Sequence, residues 1–147
     1  MARWSKLQRQ LYQIVDERIR LQLHCAVYRM DSQRGSTGLP RYWITLGDEI
    51  IWDYPRRFVG VLPRLRGWYP YNTDISEIST LIRAYLDTPV ASLLSSRFPE
   101  DRWGLVNILR ASDRRIGSRQ WPALKRKIKS RAALKVLQAR MALAGRS

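Results

Sequence analysis

The chain has one cysteine, Cys25, and one histidine, His24, in 147 residues. A lone cysteine excludes an internal disulfide and a zinc finger, and it fits a reducing compartment. A lone histidine excludes every two-histidine mechanism and every multi-histidine metal site, leaving at most a single general base. No stretch approaches the ~18 consecutive apolar residues of a membrane span. The opening Met1-Ala2-Arg3-Trp4-Ser5-Lys6 leads into an amphipathic run, not the apolar core of a signal peptide. Cytoplasm is therefore the expected location, with no membrane partner. Acids are scarce at one end: residues 110–147 contain only Asp113.

What stands in place of those acids is the dominant feature of the chain. Residues 110–147 carry twelve Lys and Arg against that one acid, a net of +11. The first 109 residues carry fifteen against eleven, a net of +4. A near-neutral body with a strongly basic end points to a polyanionic partner, and nucleic acid is the commonest one. Of the 27 cations, 22 are Arg, whose planar fork grips phosphate and stacks on bases. Genome composition can inflate the Arg share, but it does not cluster charge at one end. The hydrophobic share of 45% is that of a folded protein. A chain of this length buries roughly 68–70% of its unfolded surface without needing a metal or disulfide.

The pattern predicts an α+β fold. An N-terminal helix would pack on a small antiparallel sheet of about three strands, followed by a helical C-terminal half. One domain is expected over 1–147, with helix, sheet and a long loop in 1–72 and helices in 73–147, basic from 110. Trp4, Leu7, Leu11, Ile14 and Val15 share a helical face, and Ser5 with Gln8 reads as a capping box. From Ile19 to Tyr28 the apolar period becomes two, the signature of a half-buried strand. Residues 31–40 read as a loop. Tyr42 to Leu46 and Ile50 to Tyr54 read as two further strands around a Gly47-Asp48 turn. Residues 55–73 resist assignment. Asp74 and Glu77 form a second capping box, opening a helix whose face is Ile75, Ile78, Leu81, Ile82, Tyr85 and Leu86. Thr88-Pro89 restarts a short helix through Phe98. Trp103 to Arg115 is another, stopped by Gly117. In the last segment, Trp121, Leu124 and Ile128 share one face, while Leu134, Leu137 and Met141 share another, rotated by roughly 140°. Either the helix breaks near Ser130, or one long helix presents two faces. Internal repeats and low-complexity tracts are absent.

Several constellations carry possible chemistry. Arg110, Arg114, Arg115 and Arg119 bracket Gly117, and Lys125, Arg126, Lys127, Lys129 and Arg131 follow. Helix, glycine turn and basic helix can lay cations along a phosphate backbone; the alternative is a solvated face. A base-reading helix-turn-helix fits poorly, because Asp113 falls where a small residue packs. In the 55–73 loop, Arg56, Arg57, Arg64 and Arg66 interleave with Phe58, Trp68, Tyr69 and Tyr71. That mixture stacks bases and holds backbone, or covers one face of the sheet. Asp48, Glu49 and Asp53 sit on or beside the hairpin, but no Lys-supported pair of the metal-nuclease kind follows them. His24 and Cys25 are neighbours on a strand and point to opposite faces, so they are no nucleophile–base pair. Gly35-Ser36-Thr37-Gly38 lacks the Gly-Lys-Ser/Thr of a phosphate-binding loop.

Trp4-Ser5-Lys6-Leu7, the strand Leu23-His24-Cys25-Ala26-Val27-Tyr28-Arg29, Tyr42-Trp43-Ile44-Thr45-Leu46 and Ala111-Ser112-Asp113-Arg114-Arg115-Ile116-Gly117 together carry a resemblance. The chain resembles, up to about residue 125, a family of small bacterial proteins of uncharacterised activity that often travel with mobile elements. The resemblance implies a bacterial context and supplies no catalytic residues.

The expected function is non-catalytic binding of nucleic acid, DNA or RNA, or of a nucleoprotein. The expected contacts are Arg110, Arg114, Arg115, Arg119, Lys125, Arg126 and Lys129, with Arg56, Arg57, Arg64 and Arg66 as a second group. No cofactor and no metal is expected. Two alternatives stand beside it. One is a protein-interaction module, an inhibitor or accessory subunit of a nucleoprotein machine or a self-associating chain, using Leu134, Leu137 and Met141. The other is a metal-dependent nuclease built on Asp48, Glu49 and Asp53, with His24 assisting.

Overall fold

The computed structural model describes residues 4–29, 38–54, 76–101 and 103–145. The architecture is α+β. Helix α1 (Trp4–Ile14) leads through a 3-10 turn (Glu17–Ile19) into β1 (Leu21–Arg29), β2 (Gly38–Leu46) and β3 (Glu49–Tyr54). The C-terminal half then holds α2 (Ser76–Leu86), α3 (Leu105–Ser112), α4 (Trp121–Lys127) and α5 (Arg131–Ala144).

The three strands form one antiparallel sheet in the order β1-β2-β3, with Leu23 opposite Ile44 and Ile44 opposite Trp52. Gly47 turns the β2–β3 hairpin with a φ of 60°, in the left-handed region that glycine adopts without penalty. Period-two alternation sends Leu21, Leu23, Tyr42 and Ile44 inward, all buried. The sheet would leave the edge of β1 open, and α1 closes part of it. Tyr12 Oη accepts from Leu23 N at 3.0 Å and sits 3.2 Å from Leu23 O, to which Gln8 Nε2 donates at 2.7 Å. Gln8 therefore clips helix to sheet rather than completing a capping box, and Ser5 lies inside the helix, not before it. Such side-chain pairing removes unpaired backbone groups that an edge strand otherwise exposes.

Helix α2 buries Ile78, Leu81, Ile82 and Tyr85, the i, i+3, i+4, i+7 face that its sequence announces. The helix expected from Thr88 to Phe98 is reduced to one 3-10 turn, Val90–Ser92. Thr88 ends α2 instead, its Oγ1 donating to Ala84 O at 2.9 Å. The carbonyls of Leu93 and Ser96, which a helix would satisfy, are taken by the Arg110 guanidinium. Helix α3 starts after Gly104, and the Asp101 carboxylate accepts from the N–H groups of Trp103, Leu105 and Val106 at 2.9–3.2 Å.

Helix α3 ends at Ser112, three residues short of the expected Arg115. Its end meets the end of α1. Asp16 N donates to Ser112 O at 2.8 Å, and Arg114 N donates to Ile14 O at 2.7 Å. Each segment then makes the same turn. In Asp16-Glu17-Arg18-Ile19, the carboxylate takes the backbone N–H, Nε and Nη2 of Arg18. In Asp113-Arg114-Arg115-Ile116 it takes the same three groups of Arg115. Ile19 and Ile116 are both buried behind these turns. Gly117 is thus downstream of the stop, which is made by pairing of Asp113 with the end of α1 at Val15.

The last segment breaks where its two faces require. Helix α4 ends at Ile128 in an extended conformation, and Ser130 caps α5, its Oγ accepting from Ala133 N at 3.1 Å. The change of direction lets Leu124 and Val136, on different helices, enter the same core as Leu7, Ile44 and Tyr85. The inward face of α5 is Ala133, Val136, Leu137 and Arg140.

Candidate nucleic-acid interface

Eleven of the twelve cations of residues 110–147 lie among the described residues, and they divide by what surrounds them. Arg110 is 7% exposed. Its Nε donates to Leu93 O at 2.8 Å and its Nη1 to Asn107 Oδ1 at 3.0 Å, with the guanidinium 5.6 Å from the Phe98 ring centre. Burial pushes its pKa below the ordinary guanidinium value, but a guanidinium remains charged and must be satisfied. Arg115 lies on the Asp113 carboxylate with contacts of 3.0 and 2.8 Å, which raise its pKa. The same carboxylate takes the Tyr85 hydroxyl at 2.6 Å. Burial, with that carboxylate beside it, drives the Tyr85 pKa upward. Arg140, 4% exposed, donates from Nε to Asp16 Oδ2 at 3.2 Å and from Nη1 to the carbonyls of Ala111 and Asp113 at 3.3 and 2.9 Å. Lys135 pairs with Glu49. The donors of Arg110 and Arg115, two of the expected phosphate contacts, face carbonyls and a carboxylate inside the protein.

Arg114, Arg119, Lys125, Arg126, Lys127, Lys129 and Arg131 are exposed, and none pairs with an acid among the described residues. Arg114 stands apart, beside Tyr12, Asp16, Glu17 and Arg18 around a small open hollow. The other six fall within residues 119–131, a stretch with no acid. Leu124 is fully buried and Trp121 half-buried, so Lys125, Arg126 and Lys127 are left on the outer side of α4. Arg56, Arg57, Arg64 and Arg66 lie outside the described residues, as do Gly35 to Thr37 and Asp74.

Beside this stretch lies an open cleft of about 1020 Å³. Its lining includes the segment 96–99 with Arg97 and Phe98, then Asp101, Trp103, Val106 and Asn107, and, from the α4–α5 junction, Lys127, Lys129 and Ser130. Asn107 Nδ2 donates to Lys127 O at 3.2 Å, tying the end of α4 to α3. Arg97, Phe98 and Trp103 were not expected here. The signal was present as a cation next to an aromatic, Arg97-Phe98, but only the fold brings it to the basic helices.

The remaining candidates have other roles. Leu137 is fully buried in the core and Leu134 half-buried, while Met141 is 41% exposed. The stripe Leu134, Leu137, Met141 is therefore not a continuous exposed face of the free chain. The true inward face is offset by one residue, and Arg140 within it disguises it as polar. His24 Nε2 lies 2.9 Å from Thr45 Oγ1, and the ring stacks on Trp43 at 4.9 Å. Burial lowers its pKa. Burial likewise pushes the Cys25 thiol up to about 11, the reverse of what a nucleophilic thiolate needs. Asp48 lies 4.0 Å from Arg20 and Glu49 pairs with Lys135. Among the described residues, no group of three or more His, Cys, Asp or Glu gathers to hold a metal ion, so Asp48, Glu49 and Asp53 do not converge as a metal nuclease requires. No helix of the described residues is long and apolar enough to cross a membrane.

No curated protein and no solved structure matches the chain. The model of the SF0329 protein family matches residues 3–76 and 66–141, two overlapping segments that together take in nearly the whole sequence.

Proposed function

The chain belongs to the SF0329 protein family, and we propose that it binds nucleic acid without catalysis, through the basic stretch 119–131. The observation that supports this is the exposure of six cations there, with no acid partner among the described residues. Phosphates are the anions that such a surface meets in series, and releasing their counterions supplies affinity without sequence readout. The internal use of Arg110, Arg115 and Arg140 sharpens the reading. Once the structural cations are set aside, what is left is contiguous. We read the location as cytoplasmic and the host as bacterial, in keeping with a single cysteine that bonds to no other.

Fluorescence anisotropy of a labelled oligonucleotide, DNA and RNA in turn, tests the proposal at about 50 mM salt, where phosphate contacts are strong. Saturable binding that weakens with added salt is expected. Absence of binding to both polymers under those conditions refutes it.

A further inference from the structure

The cleft between segment 96–99 and the α4–α5 junction deepens the nucleic-acid reading, on which it rests. We propose that it receives an unpaired base of a single strand, stacked on Trp103, with the flanking phosphates on Arg97, Lys127 and Lys129.

Its volume of about 1020 Å³ is at the upper end of what small-ligand sites enclose, enough for a base with its sugar and phosphates. Its lining combines aromatic rings, Phe98 and Trp103, with the cations Arg97, Lys127 and Lys129, the pairing that single-strand binders use because every base has a stacking face. A duplex hides those faces. The lining is also held in place. Arg110 grips the carbonyls of Leu93 and Ser96 and lies against Phe98, so that ring is positioned before any ligand arrives. Asp101 fixes the backbone N–H of Trp103 at 3.2 Å. Preorganisation of this kind reduces the ordering cost of binding. Asp101 also occupies the N–H groups of Leu105 and Val106. The start of α3 is thus closed to phosphate, and the lysines of the cleft are left to hold it. Duplex reading fits worse. Helix α4 has seven residues, about 10 Å of helix, a short element to lie along a major groove.

The test compares a labelled single strand of about twelve nucleotides with the duplex of the same length, by anisotropy at equal salt. Single strand is expected to bind about tenfold more tightly. Trp103→Leu should lower single-strand affinity about tenfold and leave duplex affinity unchanged, while Trp103→Phe retains binding. A thermal melt checks that each variant folds. Should Trp103→Leu not fold, charge reversal at surface positions carries the test. Lys129→Glu should weaken single-strand binding more than Arg114→Glu, although both change net charge equally. Equal affinity for single strand and duplex overturns the proposal, as do equal losses at Lys129 and Arg114, or equal binding by the Leu and Phe variants. In those cases nucleic-acid binding itself stands. Failure of both single strand and duplex to bind refutes the broader reading as well.

Discussion

Neutralising Lys125, Lys127 and Lys129 to Gln gives the most direct measure of the basic stretch. Six cations of residues 119–131 are exposed without an acid partner among the described residues. If each neutralises one phosphate of a single strand, log K should fall with log salt at a slope of about −0.7 per contact, or roughly −4 in all. Raising salt fourfold, from about 50 to 200 mM, then weakens binding by roughly 300-fold. The triple variant keeps three contacts, so its slope should be near −2 and the same salt change should cost only about twentyfold. Anisotropy titrations at four or five salt concentrations supply both slopes. The three side chains are exposed, and the variant should melt where the parent does. A flat slope in the parent refutes the electrostatic account. A slope unchanged in the variant shows that the contacts lie elsewhere, with Arg56, Arg57, Arg64 and Arg66 the next to test.

Three further outcomes concern the frame. Leu137→Ala should destabilise by about 3 kcal/mol, a melting shift of roughly 6–12 °C, whereas Met141→Ala should stay within about 0.5 kcal/mol; a neutral Leu137→Ala would restore the partner-face alternative. Arg140→Met removes one donor each from the carbonyls of Ala111 and Asp113 and from Asp16 Oδ2, which keeps Arg18, and should cost about 1.5–3 kcal/mol in urea unfolding; a change below about 1 kcal/mol would show the contact to be dispensable. Hydrogen bonds from Arg18, joined by Arg140, hold Asp16 at about 2, below its ordinary 3.8. The folded value is depressed, so this stabilisation, on the order of 2 kcal/mol, is present above about pH 4 and fades as pH falls toward 2. Asp16→Asn should lose that share of the acid dependence, and urea midpoints for parent and variant that stay parallel from about pH 6 to pH 2 would contradict it.

Local periodicity made much of the fold legible. The strand Leu21–Leu23 and the helix face Ile78–Tyr85 depend on neighbours close in sequence, and Ser130 as a cap needs only Ala133 three residues on. The misreadings share one cause, contacts distant in sequence. Arg110 reads as a surface cation until the carbonyls of Leu93 and Ser96 meet it, and those same contacts remove the helix expected after Pro89. Helix α3 reads on to Arg115 because nothing local shows that Ile14 will take the N–H of Arg114. The recurring Asp-x-Arg-Ile at 16–19 and 113–116 was visible in the sequence. Only the paired ends of α1 and α3 give it meaning. At the candidate interface the charge of 119–131 was legible, while Phe98 and Trp103 required the fold to bring them beside it.

Arg140 bridges 124 positions of sequence to reach Asp16. An elongating ribosome therefore makes Asp16 long before Arg140. Domains generally fold as their residues emerge, but here the ends of α1 and α3 stay without their shared donor until residue 140 is out. A nascent chain stalled before residue 131 would expose the apolar surface that α5 covers. Such a fragment should be a substrate for chaperones or proteases, while the finished protein is not.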